Sequence, residues 1–370
     1  MNTINTIDCR QQFEEVLKVY GVNGAMARVE PYGNGHINDT MLVTPADGRR
    51  PFILQKINTA IFRQPTHLME NVHKVTEWIR KKMCSEKGSA GQEALRIVPT
   101  TDGGLYCSLR EDIFYRAYEF VEGVCLDLPR NKEDFYESGV AFGRFQRYLS
   151  DFPVEELYDT IPDFHNTEKR FEALLMAVEE DRVGRAAAAA DDIAFALSEK
   201  DAVDACMECK RKLPVRVTHN DTKLNNVMLN PASGKAVCVL DLDTVMPGYA
   251  MDDFGDAIRF GASNALEDEK DLSRVWMDMD MFEVFTEGFL SAAEDGLTPE
   301  EIRQFPLGAK MMTYECGIRF LTDYLQGDVY FKTGYPEHNL VRARNQFALV
   351  KDMNRKMEEM KRIVEAKLKP

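Results

Sequence analysis

Four side chains at fixed spacing, His219, Asp221, Asn226 and Asp241, are the ones most able to do chemistry in this 370-residue chain. The first three stand in the run His219-Asn220-Asp221-Thr222-Lys223-Leu224-Asn225-Asn226, and the fourth follows the apolar stretch Val237-Cys238-Val239-Leu240. One carboxylate can orient and deprotonate a hydroxyl, while an amide oxygen and a second carboxylate are hard ligands for Mg2+ set against phosphates. The set is what phosphoryl transfer from a nucleotide requires. Asp and Asn are also common loop residues bonded to local backbone. A lone His-x-Asp would carry that plainer reading; the ordered set of four favours the chemistry.

Short strands must position these groups. Val215-Arg216-Val217, Val227-Met228-Leu229 and Val237-Cys238-Val239-Leu240 read as strands. Between the last two, Asn230-Pro231-Ala232-Ser233-Gly234-Lys235 is turn chemistry for a hairpin. Asp221 and Asn226 then lie on the loop entering the hairpin and Asp241 where it exits, so the three converge at one end of a small sheet. If the strand continues, Asp243 faces the same side as Asp241, towards metal or an acceptor hydroxyl.

Upstream, residues 9–20 place Phe13, Val16, Leu17 and Tyr20 at helical spacing. Residues 29–43 read as strand, turn, strand, and Gly33 and Gly35 in the turn permit a backbone close to nucleotide phosphates. An ordinary hairpin turn has the same Gly-x-Gly. Pro51-Phe52-Ile53-Leu54-Gln55-Lys56-Ile57 is an apolar strand with a single lysine, and Pro65 opens an amphipathic helix through Leu68, Val72, Val75 and Ile79. A further strand, residues 113–123, ends at Gly123, after which the pattern turns helical: 135–149, 275–292, 299–326 and 337–366. The alanine-rich run 185–192 reads as helix or a helix-ended connector.

His219, Asp221, Asn226 and Asp241 resemble the catalytic loop and metal-binding aspartate of the protein-kinase-like superfamily, in its aminoglycoside phosphotransferase branch. Residues 248–257, with Asp252, Asp253 and Asp256, are similar to the Gly-Asp-x-x-x-Asp tail of that branch. Within it, four stretches resemble the bacterial N-acetylhexosamine 1-kinases: Gly35-His36-Ile37-Asn38-Asp39-Thr40, His219-Asn220-Asp221-Thr222-Lys223, residues 240–248 and residues 317–324. The likeness runs from near the N-terminus to about residue 345.

The resemblance implies an α+β, bilobal protein-kinase-like fold. A small lobe (1–122) with an antiparallel sheet and a helix would hold ATP, and a large, mainly helical lobe (123–370) would carry the catalytic loop and acceptor site. It implies that Asp221 takes the proton of the anomeric hydroxyl and that Asn226 and Asp241 hold Mg2+. Lys56 would fix the α and β phosphates and pair with Glu70 or Glu77 on the next helix. The backbone from Glu119 to Val121 would lie against adenine, and Asp256 would brace the catalytic loop. Arg319 and Tyr330 would line the sugar pocket, with His36, Asp243 and Phe260 as further candidates. Read without the resemblance, Glu315, Arg319 and Asp323 lie four apart on one helix face and fit a surface salt-bridge ladder, and His36 and Phe260 fit packing positions.

Composition narrows the classes. A formal net charge of −15 argues against sequence-independent binding to nucleic acid phosphates. No stretch reaches the roughly 20 apolar residues of a membrane span, and residues 1–12 lack a basic opening and apolar run, so a cytoplasmic chain is expected. The eight cysteines are scattered; Cys206 and Cys209 form the single CxxC, one turn apart on a helix before Pro214 rather than a zinc site. The length suits two lobes. The expected partners are ATP and an N-acetylhexosamine or related small sugar, and the expected state is a monomer or homodimer. The other readings are a kinase of the same fold for an aminoglycoside, choline or hexose, and a non-catalytic protein of kinase fold.

Overall fold

Five short apolar segments build the first layer of the molecule, for which a computed structural model describes residues 4–23, 27–33, 38–86, 92–293 and 296–368, with side chains from residue 12. They are β1 (Arg28–Pro31), β2 (Asp39–Thr44), β3 (Phe52–Lys56), β4 (Cys107–Arg110) and β5 (Ile113–Glu119), in the antiparallel order β1-β2-β3-β5-β4. Side chains alternate across a strand, so the sheet has two distinct faces. On one, Phe52, Leu54, Tyr115 and Ala117 bury against Val16, Leu17 and Tyr20, which lie on and just past helix α1 (Ile4–Val19). On the other, Ile53 and Tyr118 pack with Val72 and Val75 of α2 (Pro65–Ser85), whose first turn is opened by Pro65.

That second cluster does not stop at the sheet. It also contains Val217, Met228, Val237 and Val245, from and beside the two small ribbons that flank the 219–226 loop. These pair β6 (Arg216–Thr218) with β9 (Met246–Gly248) and β7 (Val227–Leu229) with β8 (Ala236–Val239). One apolar core therefore joins the sheet to the catalytic hairpin.

Helices form the rest: α3 (Lys132–Tyr148), α4 (Thr167–Glu180), α5 (Ala190–Ser198), α6 (Lys200–Lys210), α7 (Ala250–Gly261), α8 (Met279–Ala293), α9 (Pro299–Arg303), α10 (Phe305–Gln326) and α11 (His338–Lys367). Asn131 and Asn166 cap α3 and α4 by accepting amide hydrogen bonds from Asp134 and Lys169. Phe254 of α7 lies against Phe282, Phe285, Phe289 and Phe305 at the centre of the core. The expected helix 299–326 is two helices, because Pro306 lacks the N–H a continuous helix would use. The alanine run is a tight turn, Ala186–Ala189, that leads into α5, and Cys206 and Cys209 lie on α6. Among the described residues no helix is long and apolar enough to cross a membrane.

Candidate active site

The catalytic loop leaves β6 at Thr218 and bends at once. Asn220 takes φ +63° and Asp241, at the end of β8 beside it, φ +53°. Non-glycine residues rarely occupy this left-handed region, and they persist there when their surroundings over-determine them. Asn220 is held twice: its Nδ2 donates to the Thr244 carbonyl at 2.8 Å and its backbone N–H to Asp253 Oδ1 at 2.7 Å. Asp253, on α7, also accepts the His219 amide (2.9 Å) and Gln146 Nε2 (2.7 Å). Burial pushes its carboxyl up to about 6, while His219 and these hydrogen bonds pull the other way. Asp256 takes the Thr222 amide (3.1 Å) and pairs with Arg259 (3.0 Å). Bracing of the loop is thus shared, with Asp253 holding the two residues before Asp221.

His219 is buried, and its partners define its tautomer. Nε2 lies 2.8 Å from the Leu240 carbonyl and so donates, while Nδ1 accepts the Asp221 amide at 3.3 Å. It ties the loop to the end of β8 and does not reach a reacting atom. Asp221 receives Lys223 Nζ on Oδ1 (2.7 Å) and Asn226 Nδ2 on Oδ2 (3.1 Å). Burial alone would raise this carboxyl, but Lys223, His219 and Asn226 outweigh it and hold the group below its usual range. The Asp221 side chain is 28 % exposed, and its partners favour the anionic form.

Asn226 also donates to the Asp221 carbonyl (2.8 Å), which commits its amide nitrogen and leaves the amide oxygen for a cation. Asp241 is reached by solvent yet crowded by protein, and that crowding, with Asp243 and Asp221 beside it, pushes its carboxyl up to about 7. A carboxylate with no ion-pair partner among the described residues, with an amide oxygen near it, suits a hard divalent cation. Among the described residues no group of three or more His, Cys, Asp or Glu side chains forms a ready-made metal cage. A cation here would rest on Asn226, Asp241 and oxygens from substrate and water.

Asp243 departs from expectation. The chain does not extend past Asp241 but turns through a 3-10 segment, Leu242–Thr244. Asp243 is thereby buried, ion-paired with Arg116 of β5 and accepting Asn38 Nδ2 at 2.7 Å. Lys56 also differs. Across the β3–β5 ladder Gln55 faces Arg116 and Lys56 faces Tyr115, so Lys56 shares the α1 side of the sheet with Phe52 and Leu54. The two-residue period turns it away from the cleft, and Gln55 stands where the lysine was expected. No ion pair joins Lys56 to Glu70 or Glu77; Glu77 pairs with Arg80.

Gly33 has φ +73°, consistent with the expected turn, while Gly35 and His36 lie outside the described residues. Past β5, the Glu119 and Phe120 amides donate to the Arg96 and Pro51 carbonyls, and the Val121 N–H has no backbone acceptor among the described residues.

A second cluster abuts the catalytic loop. His165 Nε2 lies 3.1 Å from the Asn220 carbonyl and Nδ1 2.9 Å from Glu315, which also accepts Thr167 Oγ1 (2.8 Å). Both ring nitrogens face acceptors, an arrangement that favours the doubly protonated ring. Burial opposes that charge, but Glu315 prevails and the His165 pKa is raised. Arg319 lies over the rings of Phe164 and Phe331, each at 5.6 Å, and Arg170 donates to the Phe164 carbonyl at 3.0 Å. Burial, then Arg319, lowers the Arg170 pKa, and neither arginine has a carboxylate partner among the described residues. Asp323 accepts the amides of Val329, Tyr330 and Phe331 at 2.8–2.9 Å, which pins the loop presenting Tyr330, itself 62 % exposed.

Glu315, Arg319 and Asp323 are therefore no surface ladder; each engages a different partner. Phe260, half-buried near the end of α7, has no ring partner among the described residues. Reasoning from sequence missed Arg116, whose signal is a lone charge inside the strand Phe114-Tyr115-Arg116-Ala117-Tyr118, and Lys223, two residues past Asp221. His165 and Arg170 carry no local signal, because only packing of α4 against α10 brings them to the loop.

Residues 28–274 match the phosphotransferase enzyme family. The fold is similar to that of an aminoglycoside phosphotransferase from Alicyclobacillus acidocaldarius (14 % identity, TM-score 0.59, covering 95 % of this chain and 96 % of that one). It is also similar to choline kinase from Cryptosporidium parvum (12 %, 0.57, 98 % and 99 %). A third similar structure is a spectinomycin phosphotransferase in complex with ADP and spectinomycin (14 %, 0.55, 94 % and 98 %). The α+β protein-kinase-like fold is thereby established.

Proposed function

We propose, from the premise that this chain belongs to the phosphotransferase enzyme family, that it transfers the γ-phosphoryl group of ATP to the anomeric hydroxyl of N-acetylhexosamines, giving the α-1-phosphate. The observation that carries the reading is the Asp221 carboxylate held by Lys223 Nζ at 2.7 Å and by Asn226 Nδ2 at 3.1 Å, close enough to Asp241 to raise its pKa. Asp221 orients the acceptor hydroxyl and takes its proton late in a loose transition state, where positioning supplies most of the rate. Mg2+, when bound by Asn226 and Asp241, offsets charge on the phosphate oxygens.

The choice of acceptor is supported by the motif resemblance and by the charge of the second cluster. Choline and aminoglycosides are cations. Arg170 and Arg319 make no ion pair among the described residues, although Glu315 lies near both; two arginines beside His165 suit neutral oxygens such as those of a sugar or an acetamide better than a cation.

The test is ADP release with ATP and Mg2+ against N-acetylglucosamine, N-acetylgalactosamine, glucose, galactose, choline and an aminoglycoside, with 31P NMR of the product. A sugar 1-phosphate formed preferentially from the N-acetylated hexosamines supports the proposal. Preferential turnover of a cationic acceptor would discard the sugar reading and keep the kinase.

A further inference from the structure

Behind the metal-holding residues lies a charged cluster that the proposed chemistry does not use. The side chains of Arg116 and Asp243 are 1 % and 4 % exposed and form an ion pair between β5 and the turn after Asp241. Arg116 Nε donates to Gln55 Oε1 at 3.0 Å, and Gln55 Nε2 donates to Thr40 Oγ1 at 3.0 Å. Asn38 Nδ2 donates to Asp243 Oδ2 while its own Oδ1 accepts the Asn58 amide at 3.0 Å. The Asp243 carbonyl accepts Thr160 Oγ1 at 3.1 Å. Three strands of the sheet, β2, β3 and β5, thus converge on one carboxylate of the catalytic hairpin.

Burying two charges is unfavourable unless their geometry is good and their other hydrogen bonds are met, so such a pair adds more to specificity of position than to stability. Here the position concerned is that of Asp241, two residues earlier. Its backbone lies in the left-handed region, so the direction of its carboxylate depends on where the following turn is anchored. Among the described residues Lys56 makes no ion pair with Glu70 or Glu77, whereas Arg116 and Asp243 link the sheet to the turn that follows the hairpin.

We infer that Arg116 and Asp243 act together as positioning residues that aim Asp241 at the nucleotide-bound metal, and that Asp243 is not a ligand of the acceptor. The inference rests on the proposed ATP-dependent kinase reading. It makes four statements about measurable behaviour. Arg116→Gln and Asp243→Asn share one defect. The defect lies in kcat, in KM for MgATP and in half-saturation by Mg2+, each by about 10–100-fold, the usual loss when a partner behind a metal ligand is removed. The KM for the sugar does not move. The double variant is no worse than either single one, because both remove the same contact.

The experiment is that double-mutant cycle on the full chain, with kcat and both KM values, and with Mg2+ titration of the binding of a fluorescent ATP analogue. Additive defects, or a raised sugar KM in Asp243→Asn with Arg116→Gln unaffected, would overturn the inference. The pair Arg116→Met with Asp243→Leu replaces the charges by apolar volume and keeps the protein folded if the single variants are unstable. Its expected result is a normal unfolding temperature with the same weakened Mg2+ dependence; recovery of normal Mg2+ dependence would show a purely structural pair and also overturn the inference. If the unaltered protein turns over no acceptor, the kinase reading fails by itself, and the Mg2+ dependence of nucleotide binding across the same variants still decides the role of Arg116 and Asp243.

Discussion

In the proposed mechanism Asp221 accepts a proton late in the reaction and has to be anionic beforehand, a state that the neighbouring Lys223 favours against the effect of burial. Asp221→Ala should therefore lower kcat by about 10²–10⁴-fold, the usual contribution of a positioned base, and leave ATP affinity largely intact; comparable turnover in that variant would remove Asp221 from the mechanism. His165 offers a prediction of opposite charge. Its pKa is raised above the ordinary 6.5 by Glu315, so folding takes up a proton. The resulting stability is complete below pH 6.5 and is lost as pH rises through the raised value. The difference in unfolding temperature between the unaltered protein and His165→Gln should shrink as the pH is raised above that range. A difference independent of pH would mean that His165 is neutral.

Secondary structure was legible wherever the apolar period was unambiguous, and it misled where one residue of register mattered. The strand at 52–56 was plain from its composition, but which of Gln55 and Lys56 faces the cleft depends on the ladder with β5, and a shift of one residue exchanges the faces. The turn after Asp241 was unreadable for a related reason: its conformation is set by Arg116 and Asn38, more than 100 residues away in sequence. Helix packing carries its own prediction. A Cβ at Gly308 would meet the Met251 carbonyl of α7, and one at Gly255 the Gly308 carbonyl, so α7 and α10 approach backbone to backbone. Gly308→Ala should destabilise the protein by about 1–3 kcal/mol, the range for overpacking. Gly334→Ala, whose nearest neighbour is His338 Nδ1 at 3.9 Å, should be close to neutral. Denaturant unfolding of the two variants checks this, and equal stabilities would refute the close approach.

For the molecule as a whole, the apolar cluster shared by α2, β5 and the catalytic hairpin means that the sheet and the helical body are not independent units. A ligand held between them stabilises both. MgATP at 100 times its dissociation constant should raise stability by about 2.7 kcal/mol, measured as a higher unfolding temperature that a chelator reverses; an unchanged temperature would place the nucleotide elsewhere or nowhere. The sequence by itself determined the family, and with it a phosphotransferase chemistry. Those depend on residue types at short spacing, from His219 to Asn226 and on to Asp241, within a loop and hairpin whose local pattern is strong. Tertiary structure alone decided which side chains surround that chemistry. Gln55 takes the face expected for Lys56, Arg116 and Asp243 pair across the sheet and the turn, Asp253 holds the loop, and His165, Arg170 and Arg319 meet beside it. Each of these contacts joins residues far apart in the chain, and local periodicity specifies a face of an element without specifying what that face will meet.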